Sequence, residues 1–290
     1  MMGGRTVGIL SGLAAAAIWG GMYVVSKVVL DIIPPFSLVS LRLVLGISVL
    51  WLILWLRGGV GLSRKQILQA IGVGWVGYGI SLGLQFVGTR LSTASNGALV
   101  TSATPAFVLL FAAWLLGERI TGRRFVALLV STLGVLAVID PRTARFSPDL
   151  FWGNLSLVGA ALTWALYSVL VRKVTRQLPV LPATMVFLWG GFLITIPASA
   201  WELSTMPVGH ITLGVILGIL YLGVISTALA MYLWNKAFAT LEASTASLTF
   251  FAQPVVGAAL GGLFLHEKLS LLFLVGGVLI GIGLWLAANE

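Results

Sequence analysis

One stretch of this chain occurs twice, and this repetition constrains the fold of the whole molecule. Ala94–Arg119 lies over Ala243–Lys268 when the sequence is shifted by 149 positions, so that Pro105 meets Pro254. Matches between apolar residues are common in an apolar chain, whereas prolines and acidic–basic pairs that recur in the same order are not. An internal repeat decides the architecture, so it is considered before any single element.

The beginning of each half repeats as well, with a shift of 145 positions. Trp19 then meets Trp164, and Lys27 meets Arg172. A small loop insertion would account for the difference between the two shifts. We therefore expect two homologous halves, at residues 1–145 and 146–290.

The composition predicts an integral membrane protein. Mean hydropathy is +1.08 and only 9% of residues are charged, whereas soluble domains have about 25%. Apolar runs long enough to cross about 30 Å of hydrocarbon recur along the chain, and in lipid such runs form helices. The net charge of +9 fits basic cytoplasmic loops and gives no reason to expect nucleic acid as a partner.

Charged and Pro/Gly clusters divide the chain into ten expected transmembrane helices. They cover residues 6–28, 36–56, 67–87, 94–116, 123–139, 150–171, 183–200, 211–235, 243–265 and 271–288. Five spans per half is an odd number, so the second half would enter the membrane from the opposite side. Such inverted repeats usually place a substrate path between the halves; a duplication kept only for packing is the alternative.

The distribution of lysine and arginine predicts the orientation. With the N-terminus inside, eleven of the seventeen basic residues fall on the cytoplasmic side and five on the other, while Arg42 lies within a span. Both termini are therefore expected to be cytoplasmic. The first apolar run is expected to be a retained helix because no cleavage site follows it.

Ionisable groups are expected to be scarce inside the membrane. All eight acids and both histidines fall in loops or at the ends of spans. A proton-driven antiporter usually keeps an ionisable residue in the membrane interior, so this chain is expected to be a facilitator. An enzyme is disfavoured because no nucleophile, base or metal ligands are assembled, and no catalytic residue, metal or cofactor is expected.

Three residues inside the spans could have either a functional or a structural role. Arg42 is a costly intramembrane charge that either faces a cavity near the substrate path or reaches an interface or helix-end carbonyls. Trp19 and Trp164 lie deep in their spans and either wall a cavity suited to flat or cationic solutes or pack in the core.

Uncharged polar residues complete the candidate cavity. Amides and hydroxyls can hold the ammonium and carboxylate of an amino acid, or they can simply link helices. With the two tryptophans, the candidates for substrate binding are Tyr78, Gln85, Asn96, Tyr221, Asn235 and Gln253. Pro105 and Pro254 each remove a helix hydrogen bond near mid-membrane, which predicts either hinges or passive kinks.

These features together resemble the EamA-type members of the drug/metabolite transporter superfamily. The resemblance covers essentially the whole chain and rests on four motifs: Trp19-Gly-Gly-Met-Tyr-Val-Val-Ser-Lys27, Arg42 after Pro35-Phe36, Pro105…Gly117-Glu118-Arg119, and Pro254…His266-Glu267-Lys268. The chain is most similar to the bacterial exporters of aromatic amino acids and metabolites. The resemblance implies an export carrier of the inner membrane with a ten-helix fold around a central cavity.

One departure from the superfamily bears on mechanism. Its small multidrug pumps carry a membrane glutamate in the first helix, and Trp19 stands about where that residue would be, which puts proton exchange in doubt. Members carry amino acids, sugar phosphates, nucleotide sugars and drugs. A phosphate-bearing solute would need several interior cations. Arg42 is the one charge well inside a span, which argues against such a solute.

The sequence therefore predicts a facilitative, alternating-access exporter of neutral or aromatic amino acids and related small metabolites. Export of drugs, nucleosides or other metabolites in the same fold is one alternative. A passive pore or channel is another. The partners expected are a small-molecule substrate and membrane lipid, and a monomer is compatible with the sequence.

Overall fold

The computed structural model describes residues 3–59, 61–139, 148–264 and 271–288, which are helical and contain no strand. The first half contains α1 (Gly4–Leu30), α2 (Pro35–Leu56), α3 (Arg64–Leu91), α4 (Ala94–Thr101), α5 (Thr104–Leu116) and α6 (Gly122–Ile139). The second contains α7 (Phe151–Thr175), α8 (Val180–Thr205), α9 (Leu213–Thr240), α10 (Ala243–Leu248), α11 (Ala252–Phe264) and α12 (Leu271–Ala288).

Six helical segments of the described residues are long and apolar enough to cross a membrane. The number is seven if α1, which bends by 40° between Met22 and Val24, counts as one span. The other expected spans fall on α6, α11 and α12; α11 has 13 residues, and α12 has a shorter apolar stretch, Leu272–Ala287. The chain is thus an all-α integral membrane protein.

Local sequence signals explain several helix ends. Pro35 lies in the first turn of α2, where its missing N–H has no intrahelical partner to lose. Ser63 forms a capping box with Gln66 at the start of α3. Gly117 ends α5 in the left-handed conformation, with φ of 68°, which glycine adopts without steric cost.

The helix is interrupted at equivalent places in the two halves. α4 ends before a two-residue turn at Ser102, and Pro105 lies in the first turn of α5, so Pro105 begins a helix and removes no bond from the interior of one. Hydroxyls take up carbonyls near each break: Thr104 Oγ1 donates to the carbonyl of Thr101 at 2.6 Å, and Thr249 Oγ1 to that of Ala246 at 2.7 Å.

Pro254 follows the interruption of the second half. A 3₁₀ turn at Thr249–Phe251 links α10 to α11, and Pro254 is the third residue of α11. Both prolines therefore mark the start of a new helix beside a break. Their role as hinges stays a prediction.

The packing of the helices follows the sequence repeat. The contact of α1 with α9 is matched by that of α7 with α3, α1 with α11 by α7 with α5, and α2 with α9 by α8 with α3. Two further pairs, α2 with α8 and α6 with α12, join equivalent helices across the halves. This is the contact pattern of a pseudo-twofold arrangement.

The helices α1 and α7 run in opposite directions. Arg5, at the start of α1, and Arg172, near the end of α7, line the same depression. At the other end of α1, Lys27 Nζ donates to the carbonyl of Ser92 at 3.1 Å, and Ser92 Oγ donates to Asn154 Oδ1, near the start of α7, at 2.7 Å. The end of one helix therefore lies beside the beginning of the other.

Glycines allow α6 and α12 to approach at backbone distance. A Cβ added to Gly276 would lie 2.5 Å from the carbonyl oxygen of Gly134, and one added to Gly134 would lie 2.7 Å from that of Gly276. Close approach through small residues is how membrane helices gain packing energy. These two glycines are therefore required by the α6–α12 contact.

Candidate functional site

A cavity lies at the junction of the two halves. Residues of both halves line it: Trp19, Met22, Ser81, Leu82, Gln85, Thr101, Thr104, Ala160, Ala161, Trp164, Met231, Phe250 and Gln253. None of these lining residues is charged. The cavity is therefore an uncharged chamber with aromatic, thioether, hydroxyl and amide groups in its wall.

Equivalent residues of the two halves meet in the wall of the cavity. Eight of its lining residues form four pairs under the two sequence shifts: Trp19/Trp164 under 145, and Leu82/Met231, Thr101/Phe250 and Thr104/Gln253 under 149. The paired residues occupy equivalent positions in the two repeats. In three of the pairs the two side chains differ in chemistry, so the lining of the chamber is asymmetric. An asymmetric lining can bind a solute in one orientation.

Trp19 is the centre of the aromatic wall. Its ring lies 5.6 Å from that of Trp164, edge to face at 81°, and 5.4 Å from that of Trp234. The ring of Phe250 lies 6.2 Å away. Edge-to-face arrangements of this kind are favoured by the ring quadrupoles, so the wall is held by its own contacts.

Two polar atoms in the wall have no partner. Trp19 Nε1 donates to the carbonyl of Ser226 at 3.0 Å, and Gln253 Nε2 donates to the carbonyl of Trp19 at 3.3 Å. By contrast, Trp164 Nε1 and Gln253 Oε1 are buried without a hydrogen-bond partner. Leaving such groups unsatisfied costs about 1–3 kcal/mol each. A solute that forms hydrogen bonds with them would therefore bind more tightly.

The hydroxyl groups of the cavity are hydrogen-bond acceptors toward a solute. Ser81 Oγ donates to the carbonyl of Ala160 at 2.8 Å, Thr101 Oγ1 to that of Gly97 at 2.6 Å, and Thr104 Oγ1 to that of Thr101. Each hydroxyl has one proton, and here each proton is used by the backbone. The lone pairs of Ser81 Oγ and Thr104 Oγ1 can therefore accept from a ligand.

The structure places four of the eight predicted binding residues in the cavity wall: Trp19, Trp164, Gln85 and Gln253. The break before α11 explains the position of Gln253, which immediately precedes Pro254. Its symmetry mate Thr104 precedes Pro105 in the same way. The two breaks therefore aim one polar residue from each half at the chamber.

Tyr78 and Asn235 lie in a separate buried network beside the cavity. Tyr167 Oη is 2.6 Å from Asn235 Oδ1 and also bonds Tyr78 Oη. Asn235 Nδ2 donates to Thr184 Oγ1 at 2.9 Å. The ring of Tyr78 lies 6.1 Å from that of Trp164, so this network packs against the aromatic wall.

Tyr221 and Asn96 also lie outside the lining. Tyr221 Oη donates to the carbonyl of Ile18, one residue before Trp19. Asn96 Nδ2 donates to Asn154 Oδ1 at 2.8 Å and so joins α4 to the start of α7. Both contacts join one half to the other, and a binding role for either residue stays a prediction.

Arg42 is fully buried next to the cavity. Its Nε donates to Thr227 Oγ1 at 2.8 Å, and its Nη1 lies 3.6 Å from Met22 Sδ. The guanidinium carbon sits 5.1 Å from the centre of the Phe86 ring. Arg42 is not a lining residue, but its neighbour Met22 is.

Polar contacts join the halves at the end where α1 begins. The Glu118 carboxylate accepts from the backbone N–H groups of Ala243 at 2.8 Å and Ser244 at 3.0 Å, at the start of α10. Arg124 and Glu242 form an ion pair between α6 and α10. These contacts hold the halves together at this end of the cavity.

Lys27 and Arg172 make equivalent contacts at opposite ends of the molecule. Lys27 Nζ donates to the carbonyl of Thr89 at 3.0 Å, in the last turn of α3. Arg172 Nη1 donates to the carbonyl of Ala239 at 2.7 Å, in the last turn of α9. A cation at a helix C-terminus is favoured by the helix dipole, and the repeat places one such cation at each end.

The acids of the described residues lie at helix ends, as expected. Glu202, three residues before the end of α8, is buried and accepts from the backbone N–H of Ser37 at 2.9 Å. No group of three or more metal-ligating residues occurs in the described ranges. Several residues considered above lie outside them: Asp140, Arg142, Arg145, His266, Glu267, Lys268 and Glu290.

Sequence reasoning missed several lining residues. Met22, Leu82, Met231 and Phe250 were not among the candidates because apolar side chains in an apolar helix carry no distinguishing signal. Thr104 had a signal, since the repeat makes it the mate of Gln253.

An all-α chain of two repeats, embedded in a membrane and enclosing a chamber at their junction, has the organisation of a membrane transporter. The chain belongs to the EamA-like transporter family, whose profile matches residues 6–139 and 151–289. The two matched segments are the two repeats. The family is one of transporters, and the chain is a multi-pass membrane protein.

Relatives of known name are similar over nearly the full length. A probable amino-acid metabolite efflux pump of Escherichia coli is 26% identical, covering 97% of this chain and 94% of the relative. A pseudopaline exporter of Pseudomonas aeruginosa is 28% identical, with coverage of 94% and 93%. One crystal structure, at 22% identity, shares the fold with a TM-score of 0.81 over 98% of this chain and 96% of the other.

Proposed function

We propose that this protein exports neutral or aromatic amino acids and related small metabolites across the inner membrane, by alternating access and without proton coupling. The observation that carries the proposal is the uncharged chamber at the junction of the repeats, walled by the symmetry mates Trp19 and Trp164. A site between two equivalent halves can open to either side by similar rearrangements.

The proposed architecture is ten membrane spans arranged as two inverted five-helix repeats, at residues 1–145 and 146–290, around that chamber. The antiparallel course of α1 and α7 supports the inversion, as do the equivalent contacts of Lys27 and Arg172 at opposite ends. The excess of basic residues in one set of loops supports cytoplasmic termini. The proposed partners are a small-molecule substrate and membrane lipid, with no cofactor and no nucleic acid.

The proposed substrate class follows from the lining. Aromatic rings and thioethers suit an apolar or flat side chain, while amide and hydroxyl groups suit polar termini. Gln85 and Gln253 are proposed to contact the substrate along with the two tryptophans. Tyr78, Asn96, Tyr221 and Asn235 are proposed to shape the site from neighbouring positions. The names of two relatives, an amino-acid metabolite efflux pump and a pseudopaline exporter, support export of such compounds.

The absence of a carboxylate among the described lining residues supports facilitative transport. Proton-coupled carriers usually place a proton-binding acid where the substrate binds. Here the acids of the described ranges lie at helix ends. Glu118 and Glu202 accept from backbone N–H groups, and Glu242 pairs with Arg124.

Counterflow in proteoliposomes tests this proposal. Vesicles loaded with an excess of one unlabelled amino acid are diluted into labelled amino acid at equal pH on both sides. Transient accumulation of label is the expected result, and it also excludes a pore or channel, which cannot couple the two fluxes. Accumulation of nucleosides or lipophilic cations but of no amino acid would contradict the substrate class and leave the carrier mechanism standing.

A further inference from the structure

Arg42 is a buried cation with no acid to balance it. The side chain is 0% exposed, and no carboxylate contacts it in the described part of the chain, where the ion pair found is Arg124–Glu242. An uncompensated buried charge is costly, whereas a paired and hydrogen-bonded one is tolerated. The position therefore lacks an anion.

The guanidinium is well bonded on one side and poorly bonded on the other. Nε and Nη2 face α9, where Thr227 Oγ1 accepts at 2.8 Å and Ser226 Oγ at 3.3 Å. Nη1 has only Met22 Sδ at 3.6 Å, and a thioether sulfur is a weak acceptor. The poorly bonded edge of Arg42 is thus the edge that faces Met22.

Met22 also lines the central chamber. The same side chain therefore contacts both Nη1 of Arg42 and the cavity. A methionine side chain is unbranched and adapts its shape at low cost. A solute group that is a stronger acceptor than sulfur can take its place.

We propose that Arg42 is the anion-recognition residue of the transport site, and that the transported solute carries a carboxylate that displaces Met22 Sδ and binds Nη1. This inference rests on the proposed function. A carboxylate on a guanidinium forms a charge-assisted hydrogen bond, which is roughly twice as strong as a neutral one. The solute then supplies the counter-charge that the protein lacks.

The rest of the lining then fixes the orientation of the solute. With the carboxylate at Met22, the ring lies against Trp19 and Trp164. The ammonium group meets the acceptor oxygen of Thr104, whose proton is already donated to a carbonyl. The acceptor-rich wall and the cation thus match the two ends of a zwitterion.

The repeat supports a single orientation. The two shifts align Arg42 with Phe187 or with Gly191, and neither residue carries a charge. The anion position therefore exists on one side of the chamber only. Phe86, under the guanidinium at 5.1 Å, and Thr227 keep Arg42 in place.

A series of analogues tests the inference on the unmodified protein. Tryptophan, indole-3-propionate (no ammonium), tryptamine (no carboxylate) and tryptophan amide compete against labelled tryptophan in counterflow. Leucine, 4-methylpentanoate and isoamylamine form the matched aliphatic set. We expect loss of the carboxylate to weaken inhibition by about 10- to 100-fold, and loss of the ammonium to matter less. Equal or stronger inhibition by the amines would overturn the inference.

Variants separate recognition from a structural role. Arg42→Gln should remove the preference for acid over amide, and Arg42→Lys should restore part of it, whereas a purely structural arginine would lower inhibition by all analogues alike. Met22→Leu keeps the volume, removes the sulfur and should strengthen carboxylate inhibition. Arg57→Gln, at the exposed end of the same helix, is the matched control and should behave as wild type.

Ligand-induced thermal stabilisation of purified protein separates this inference from the proposed function. Stabilisation by carboxylates without any counterflow would contradict transport and leave the role of Arg42 intact. Stabilisation that is equal for acids, amines and amides would overturn the role of Arg42 even if counterflow occurs. No stabilisation and no competition by any analogue would overturn both.

Discussion

The indole rings of Trp19 and Trp164 meet edge to face, with centroids 5.6 Å apart, although the residues stand 145 positions apart in the chain. Each is the other's counterpart in the repeat, so the contact lies where the halves are related. Both rings also wall the chamber. One interaction therefore joins the internal symmetry of the sequence to the candidate transport site.

This contact leads to a prediction about binding. Trp164→Ala should lower the apparent affinity for the transported amino acid by about tenfold, because one wall of the aromatic pair is lost. Concentration dependence of counterflow measures the effect. Trp114→Ala, which removes a tryptophan that is 75% exposed toward lipid, is the control. A loss of the same size in both variants would contradict a specific role for Trp164.

A second prediction concerns the α6–α12 contact. Gly276→Leu should destabilise the fold by about 1–3 kcal/mol through overpacking, because its Cβ would collide with the carbonyl of Gly134. A Cβ added to the neighbouring Gly277 would meet no atom within 4 Å. Gly277→Leu should therefore leave the unfolding temperature close to that of the wild type. Thermal unfolding in one detergent compares the two, and equal midpoints would contradict the packing described.

A third prediction concerns the end of the cavity that carries Arg5 and Arg172. Glu118→Gln removes the charge that holds the start of α10, so this end should open more often. The chain contains no cysteine, so Thr245→Cys provides a single labelling site in the depression there. Its reaction with a membrane-impermeant maleimide should be faster in the Glu118→Gln background.

The control for that experiment is Asp149→Asn, which neutralises an exposed acid next to the start of α7 and should not change the labelling rate. A rate unaffected by Glu118→Gln would show that this carboxylate does not hold the end of the cavity closed.

A fourth prediction concerns membrane orientation. Ser63→Cys, before α3, should react only when an impermeant reagent reaches the cytoplasmic face, and Ser204→Cys, at the end of α8, only from the opposite face. Intact cells and inverted vesicles supply the two faces. Reaction of both cysteines from one face would contradict the orientation.

The repeat made much of the architecture predictable from sequence. The shift of 149 makes Pro105 and Pro254 equivalent, and both lie at the start of a helix beside a break. The shift of 145 makes Trp19 and Trp164 equivalent, and their rings are in contact. Such relations between residues remain visible in a sequence even when every segment is apolar. The all-helical fold followed from the hydropathy, since lipid offers the backbone no alternative.

The lining of the cavity was less predictable. Tyr78 and Gln85 both looked like polar residues inside one helix, yet Gln85 lines the chamber and Tyr78 bonds to Tyr167 behind the wall. A sequence shows which face of a helix a residue occupies, and several neighbours compete for that face. Arg42 was ambiguous for the same reason, because sequence alone does not show which neighbours surround a buried charge.

Access to the chamber from both sides is the central claim, and one cysteine tests it most directly. Thr104→Cys places a thiol in the cavity wall of an otherwise cysteine-free chain. The account predicts that an impermeant maleimide reaches it from either face of the membrane, and that the transported amino acid protects it from both. Labelling from one face only, or labelling that no substrate slows, would contradict an alternating-access site at the junction of the repeats.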